Sequence, residues 1–198
     1  MKPINKRDWK ININRMLLGD KLLPKIREGF VDSGTSFAYF PRNFYKSIKR
    51  QMRNYCKEDK KRCGGQAHQL KCFKKSSSQT LQAFFRSFPT FNFELPSMDA
   101  INSTYNYKWQ PSEYLYKLGN EYCYAFFEQN RSYIMMGGTF MRQHGFVFDV
   151  DNNRVGIAEA KCGGKYYQRY RSRKPFVPKE VPLTTAVENF MDSLFSGW

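Results

Sequence analysis

An acidic loop made of small residues constrains the fold of this chain more than any other feature. The apolar segment 29–31 (Gly-Phe-Val) runs directly into residues 32–36 (Asp-Ser-Gly-Thr-Ser). Hydroxyl and backbone N–H donors around a carboxylate can keep it ionised and fixed in orientation. A glycine inside such a loop allows another backbone or a substrate to come close. The segment is therefore either an ordinary polar turn or a place where Asp32 carries out chemistry.

The residues around this loop predict a mainly β domain. Trp9, Ile11 and Ile13 alternate with polar residues across 9–18, as in a half-buried strand. Gly19-Asp20 is a turn signal before a returning segment. Aromatic residues make up 17% of the chain, which favours strands over helices. Further strands are predicted at 88–95, 105–109, 145–149 and 154–160, and residues 121–127 and 132–136 form two further apolar runs.

One helix is predicted directly after Pro41. Phe44, Ile48, Met52 and Tyr55 follow at intervals of four, four and three residues, which places them on one helical face. The lysines and arginines of this segment fall mostly on the other faces. A proline suits the start of a helix, because its missing N–H would have no helical partner there.

Positive charge is concentrated in two stretches of a chain whose formal net charge is +16. Twelve Lys and Arg lie between positions 42 and 75 beside only two acids, and six more lie between 165 and 179. Residues 56–78, which overlap the end of the first stretch, are predicted to be a polar, lysine-rich loop. No nucleic-acid motif accompanies these clusters, so we interpret them as solvated basic surface rather than as a nucleic-acid site.

The cysteines and two sequons favour an oxidising, secretory compartment. There are five cysteines, no Cys-x-x-Cys pair and only two histidines, so we expect no metal site. The odd number leaves one thiol free or paired outside this chain. Asn102 and Asn130 each begin an Asn-x-Ser/Thr triplet and are candidate glycosylation sites.

The two ends of the chain differ from its body. The first eight residues have no apolar run like that of a signal peptide, so we expect the natural N terminus to lie further upstream. No run of about 18 apolar residues predicts a membrane-spanning helix. Residues 163–198 form a basic tail that closes with apolar residues at helical spacing. This short helix either docks on the body or contacts a membrane surface or a partner.

Several segments, taken in order, resemble the C-terminal lobe of pepsin-type aspartic proteases. Residues 31–36 resemble the active-site signature of that family, and 134–142 resemble its paired-hydrophobic-then-glycine segment. The resemblance extends from residue 9 to residue 162. Supporting similarity is found at 89–93, 109–115, 146–149 and 152–158.

The resemblance implies a fold, a domain division and a location. It implies a mainly β, pepsin-like lobe with orthogonally packed sheets, a psi-loop active site and one or two helices. Residues 1–162 would form this lobe, and 163–198 would form the tail. Members of the family work in secretory, lysosomal or extracellular locations and need no cofactor.

The resemblance also implies roles for the residues of the loop. Asp32 matches the catalytic aspartate of this lobe, and the hydroxyl of Thr35 matches the group that hydrogen-bonds its outer oxygen. Ser33 matches the residue that grips the loop of the partner lobe. Gly34 and Ser36 match positions near the bound peptide.

A second segment is expected to support the loop from behind. Met135, Met136 and Gly137 match the chain that threads behind the aspartate. Gly138 departs from the family pattern, because many members have Asp there, and this change removes one polar anchor.

The resemblance further implies one disulfide, and a second is expected beside it. Cys72 and Cys123 match the positions of the family's disulfide, and Cys56 and Cys63 are expected to close a local loop. Cys162 would then be the unpaired cysteine.

The chain contains one Asp-Ser-Gly or Asp-Thr-Gly triplet, whereas the chemistry of this family needs two aspartates. The other acids are expected in polar turns or after Phe148 in a closing strand. Two interpretations follow. In the first, the chain is an endopeptidase lobe that is inactive until an N-terminal lobe or a second copy joins it to act on a peptide. In the second, it is a non-enzymatic or relic peptide-binding lobe.

Overall fold

The structure is a computed structural model, and it describes residues 9–66, 71–97 and 103–160. The sequon at Asn102, the cysteine at position 162 and the predicted tail helix lie outside these residues. The helices are α1 (Arg42–Glu58), α2 (Leu81–Arg86), α3 (Pro111–Tyr114) and α4 (Gly138–Met141), and a 3-10 turn spans Arg62–Gly65. The strands are β1 (Trp9–Asn12), β2 (Arg15–Leu18), β3 (Lys21–Leu22), β4 (Glu28–Val31), β5 (Ala38–Pro41), β6 (Cys72–Lys74), β7 (Phe91–Pro96), β8 (Thr104–Trp109), β9 (Leu115–Leu118), β10 (Glu121–Tyr124), β11 (Phe126–Gln129), β12 (Ile134–Met136), β13 (His144–Asp149) and β14 (Arg154–Glu159).

These strands form four sheets. A five-stranded sheet has the order β1-β4-β12-β5-β11, and a four-stranded sheet has the order β3-β2-β7-β8. A three-stranded sheet, β6-β10-β9, and the hairpin β13-β14 complete the set. The predicted mainly β, pepsin-like fold class is confirmed.

The five-stranded sheet has an unusual centre. β4 and β5 are consecutive strands joined by the acidic loop, yet they are separated by β12, which comes a hundred residues later. β12 runs parallel to β4, with Met136 opposite Val31, and antiparallel to β5, with Met135 opposite Tyr39. This threading is the psi arrangement that the resemblance implied, and it places the end of β12 directly behind the loop.

Helix α1 follows the loop and β5 in the chain and covers the sheet with one face. Phe44, Ile48 and Met52 are buried as the spacing predicted, while Tyr55 is only half-buried. Pro41 occupies the N-cap position, where its side chain makes no capping hydrogen bond. The helix ends at Glu58. A disulfide between Cys56, in its last turn, and Cys63 links the helix to the 3-10 turn.

The core is an aromatic cluster shared by the two larger sheets. Phe40 of β5 lies 6.3 Å from Phe91 of β7, measured between ring centroids, and Phe91 lies 5.5 Å from Trp109 of β8. Favourable ring geometry adds about 0.5–1.5 kcal/mol per pair beyond burial. The fully buried rings in this cluster are Phe40, Phe91, Phe93, Tyr107, Trp109, Tyr114, Phe126 and Phe140.

Three of these rings carry polar atoms, and each polar atom has a partner. The indole N–H of Trp109 donates to the carbonyl of Thr139 at 2.9 Å, and the hydroxyl of Tyr107 donates to the carbonyl of Phe140. Thr139 and Phe140 belong to α4, directly after the end of β12. These two bonds link the core to the backbone that supports the acidic loop. The hydroxyl of Tyr114 donates to a different partner, the carbonyl of Pro89.

Two sequence predictions need correction. Residues 9–18 form two strands in different sheets, because the N–H of Ile13 donates to Arg27 whereas that of Asn14 donates to Glu94. Residues 56–78 are not a continuous loop. They contain the end of α1, the 3-10 turn and β6, since Phe73 is buried and β6 pairs with β10.

The short helices were also not predicted individually. α2 has six residues, and α3 and α4 have four each, which is too short to produce a full hydrophobic repeat.

Within the described ranges, no helix combines the length and the hydropathy needed to cross a bilayer.

Candidate active site

Asp32 lies at the point where β4 ends and the loop begins. Its side chain is half-buried, whereas Ser33 and Gly34 beside it are exposed. The backbone N–H of Asp32 donates to the carbonyl of Met136 at 3.0 Å, which continues the pairing of β4 with β12. The carboxylate is thus anchored through its backbone to the centre of the sheet while it remains accessible from outside.

The carboxylate of Asp32 accepts one hydrogen bond at each oxygen. The N–H of Gly34 donates to Oδ1 at 2.9 Å, and the hydroxyl of Thr35 donates to Oδ2 at 2.6 Å. Two such bonds, one at each oxygen, fix the plane of the group. In the described ranges, Asp32 forms no salt bridge. The loop therefore holds an oriented carboxylate without a cation beside it.

The loop is held from behind by the segment that follows β12. The N–H of Gly138 donates to the carbonyl of Thr35 at 2.6 Å, and that of Thr139 donates to the carbonyl of Ser36 at 2.9 Å. A Cβ atom at Gly137 would lie 2.3 Å from the carbonyl oxygen of Phe37 and 2.4 Å from that of Thr35. Only glycine can occupy this position without moving backbone, so the close approach depends on Gly137.

The neighbouring glycine is different. A Cβ atom at Gly138 would meet its nearest neighbour, the carbonyl oxygen of Ser36, at 3.5 Å, which is an ordinary contact. A side chain could therefore be accommodated where the family often has Asp. The fold does not require glycine at position 138 for steric reasons. The chain therefore differs from the family there only in lacking a polar side chain.

Asp32 lies outside a groove found elsewhere on the described part of the chain. That groove, about 490 Å³, lies between the end of α1 and α2 and is bordered by Tyr55, Arg62 and Arg86. No residue of the acidic loop lines it. Two residues of the loop, Ser33 and Gly34, are instead exposed to solvent.

A second carboxyl group lies in a contrasting environment, and sequence reasoning missed it. Glu113 is 1% exposed in α3, so the expectation that the remaining acids sit in polar turns or after Phe148 was wrong for this residue. Its side chain accepts a hydrogen bond from the N–H of Gln110 in a capping box. Pro111 at the first helical position with Glu at the third was the available signal.

Burial controls the protonation of Glu113. Desolvation raises its pKa to about 7; the Gln110 N–H and Arg142 act in the opposite direction, and Glu159 adds to the increase. His144 Nδ1 lies 3.5 Å from a carboxylate oxygen of Glu113, and Arg142 donates to the backbone carbonyl of Glu113 at 3.2 Å. This cluster joins α3 to the start of β13.

The two expected disulfides are both present. Cys72 and Cys123 are directly opposite each other on β6 and β10, and Cys56 is linked to Cys63. Glu121 lies close enough to Cys72 and Cys123 to resemble a ligand set. Their sulfurs are bonded to each other, however, so they are not thiolates that could bind a metal.

One of the two candidate glycosylation sites can be located. Asn130 is exposed in the bend that follows β11, where an attached glycan would meet solvent. Surface loops of this kind are where such modification occurs in secreted proteins.

Comparison with known proteins gives consistent results. The family described as eukaryotic aspartyl protease matches residues 2–160. Plasmepsin V of Plasmodium falciparum is 26% identical over 156 residues, covering 67% of this chain and 26% of that protein. Pregnancy-associated glycoprotein 1 of Ovis aries is 27% identical over 164 residues, covering 79% of this chain and 37% of that protein. The chain therefore spans only about a quarter to a little over a third of the length of these relatives.

Proposed function

Because this chain belongs to the eukaryotic aspartyl protease family, we propose that it is an endopeptidase lobe that supplies one carboxylate, Asp32, to a catalytic pair. Residues 1–162 act as this lobe, and 163–198 act as a separate basic tail. The observation that carries the proposal is the accessible carboxylate of Asp32, held at both oxygens by Gly34 and Thr35.

In the proposed reaction, Asp32 and a second aspartate face each other and share one proton. Two like charges that close cannot both remain ionised, an effect long known for this class of enzyme. The ionised carboxylate accepts a proton from a water molecule as that water attacks the peptide carbonyl. The protonated carboxyl donates to the carbonyl oxygen, so no covalent intermediate is needed.

The neighbours of Asp32 take supporting roles in this proposal. Thr35 keeps the carboxylate in the plane that the water requires. Ser33, exposed beside Asp32, contacts the loop of the opposite lobe. Gly34 and Ser36 lie along the bound peptide. Met135, Met136 and Gly137 hold the loop in place from behind, a role favoured by the bonds from Asp32 and Gly138 across this segment.

The second aspartate comes from another lobe, supplied by the same polypeptide or by a second copy. Residues 1–198 alone are expected to cleave no peptide at acidic pH, since neither carboxylate works well without the other. Robust cleavage by the purified chain, blocked by a statine peptide, would overturn this expectation.

A co-refolding experiment tests the proposal. The chain is refolded with the N-terminal lobe of a related protease, and cleavage of a fluorogenic peptide library is measured from pH 3 to pH 8. We expect activity with an acidic optimum, inhibited by a statine peptide and absent in Asp32→Asn. If the mutant retains activity, Asp32 is not part of the mechanism.

A second candidate function is peptide binding without turnover. The observation that favours it is that no second carboxylate pairs with Asp32 within the described ranges. A refolded two-lobe complex that binds statine peptides but hydrolyses none of the library would support this alternative.

We further propose that the protein works in the secretory pathway or outside the cell. Two disulfides favour an oxidising compartment. Asn130, and Asn102 in the same way, would then carry glycans. Expression in a secretory host followed by N-glycosidase treatment should shift the electrophoretic mobility, and an unshifted secreted protein would remove glycosylation from the proposal.

A further inference from the structure

Helix α1 carries six cations on one side. At 100° per residue, they occupy an arc of about 100° that contains none of the buried residues of the helix. Every residue of the helix that falls within this arc is Lys or Arg, and all are exposed except Lys49, which is half-buried. We call this set the basic face; its members are Arg42, Lys46, Lys49, Arg50, Arg53 and Lys57.

This arrangement opposes helix formation. Four pairs within the basic face are spaced i, i+4 (42–46, 46–50, 49–53 and 53–57), and like charges at that spacing destabilise a helix by about 0.2–0.5 kcal/mol each. The single acid of the helix, Glu58, is at its last position and pairs with Arg62 instead. The Lys and Arg side chains of α1 therefore repel one another. Acids placed between them along the helix would have relieved this repulsion.

The repulsion is not neutralised elsewhere in the described ranges. None of the six cations forms a salt bridge there. Lys49 is surrounded by further positive charge, since its pKa is lowered by burial and then by Lys71 and Arg53, with only Glu128 acting in the opposite direction. Lys71 therefore extends the positive field sideways onto the segment before β6.

The shape and chemistry of the basic face select its partner. From Arg42 to Lys57 it is about 22 Å long and only one or two side chains wide, which suits a linear polyanion. No apolar side chain lies in the arc, so the face lacks what an interfacial membrane helix buries. The disulfides indicate an oxidising compartment, where nucleic acids are not the usual partners.

We propose that the basic face of α1 binds a linear sulfated polysaccharide. The sulfates pair with the row of Lys and Arg side chains, and the release of condensed counterions from the polyanion drives association. β5 carries the chain away from the acidic loop before α1 begins, over a distance of about 13 Å. The polysaccharide would thus hold the lobe at a matrix or a cell surface through a site separate from Asp32.

Heparin binding to the full chain, with disulfides intact, tests this proposal. Affinity is measured by isothermal titration calorimetry at several salt concentrations. The helix variant combines Lys46→Gln, Lys49→Gln and Arg53→Gln. The matched control, Lys25→Gln with Lys108→Gln and Lys117→Gln, removes the same amount of charge from exposed positions outside α1.

We expect the helix variant to bind heparin at least about tenfold more weakly near 0.15 M salt and to lose roughly two units or more from the slope of log K against log salt. The control should change affinity less than about threefold. Thermal unfolding should occur at the same or a higher temperature in the helix variant, because like-charge repulsion is relieved, so misfolding would not explain its weaker binding.

Three results would overturn the proposal. Equal losses in the two variants would mean that heparin responds only to the overall net charge. Unchanged binding in the helix variant would place the site elsewhere, for example in the basic tail. Tighter binding to phosphatidylserine vesicles or polyglutamate than to heparin, lost with the same three substitutions, would assign the face to a membrane or to an acidic protein.

Discussion

Asp32 and Glu113 are two carboxyl groups that this fold treats in opposite ways. Asp32 is half-exposed and accepts hydrogen bonds at both oxygens from its own loop. Glu113 is almost fully buried, accepts its hydrogen bond from the N–H of Gln110, and has a pKa raised to about 7 by desolvation. The accessible carboxylate is held in place by donors of its own loop, whereas desolvation makes the buried one a group whose protonation couples to the stability of the fold.

The substitution Asp32→Asn should separate the two groups most strongly. In a complex refolded with a second lobe, we expect activity to fall by at least about 10³-fold, because Asn can neither carry the charge nor exchange the proton. The free energy of unfolding should change by less than about 1 kcal/mol, since Asn retains the shape and an acceptor for Gly34. Denaturant unfolding provides the fold control, and comparable losses of activity and stability would contradict the assignment.

The glycine behind the loop provides the next largest effect. Gly137→Ala places a Cβ atom against two backbone oxygens and should destabilise the lobe by about 3 kcal/mol. Gly138→Ala is the matched control and should stay within about 1 kcal/mol of wild type, because its Cβ atom meets only ordinary contacts. Urea midpoints for the two variants provide the test. Equal midpoints would show that the close approach of the two segments is not needed.

Glu113→Gln addresses the buried group. The folded state of the wild type holds this proton more tightly than the unfolded state, whose pKa is near 4.5. The stabilisation is therefore complete below about pH 4.5 and is lost as pH rises through about 7, a fall on the order of 3 kcal/mol. The Gln variant cannot titrate and should lack this fall.

The measurement for Glu113 is denaturant unfolding at a series of pH values. Asp151→Asn, in the exposed turn between β13 and β14, is the control and should retain the wild-type slope. If the Gln variant shows the same pH dependence as the wild type, then another group causes it.

Thr35→Val should give the smallest effect. It removes the hydroxyl that donates to Oδ2 of Asp32 and should lower the activity of the two-lobe complex about tenfold with little change in stability. Thr35→Ser keeps the hydroxyl and should remain close to wild type. Activity in the Val variant equal to that of the Ser variant would mean that orientation of Asp32 does not depend on this bond.

The sequence predicted the Asp32 region well because its signals are local. An apolar strand, a loop of small polar residues and a helical repeat after Pro41 are each contained within a few neighbouring positions. The structure confirms the strand, the loop and the helix after Pro41, and it buries Phe44, Ile48 and Met52. The strand β5 between the loop and the helix was not predicted.

Features that depend on distant contacts were missed. From its sequence alone, Glu113 resembles a surface acid. Its burial becomes visible only when α3 lies beside His144 of β13. The one local signal was the capping pattern of its own segment. β6 is three residues long among lysines, and it becomes a strand because Cys72 and Phe73 meet β10. The break after Asn12 is invisible because alternation continues across it while the hydrogen-bonding partner changes. The separate role of the basic face likewise emerges only when the cations are placed around the helix axis.

The position of β12 between β4 and β5 has a consequence for how the chain folds during its synthesis. The carbonyl that anchors the backbone of Asp32 belongs to Met136, which the ribosome adds 104 positions later. At 5–20 residues per second, this separation corresponds to roughly 5–20 s of synthesis. During that interval the nascent chain carries the aspartate without the strand that positions it. The acidic loop therefore cannot reach its final, anchored form until Met136 has been added and has left the ribosome.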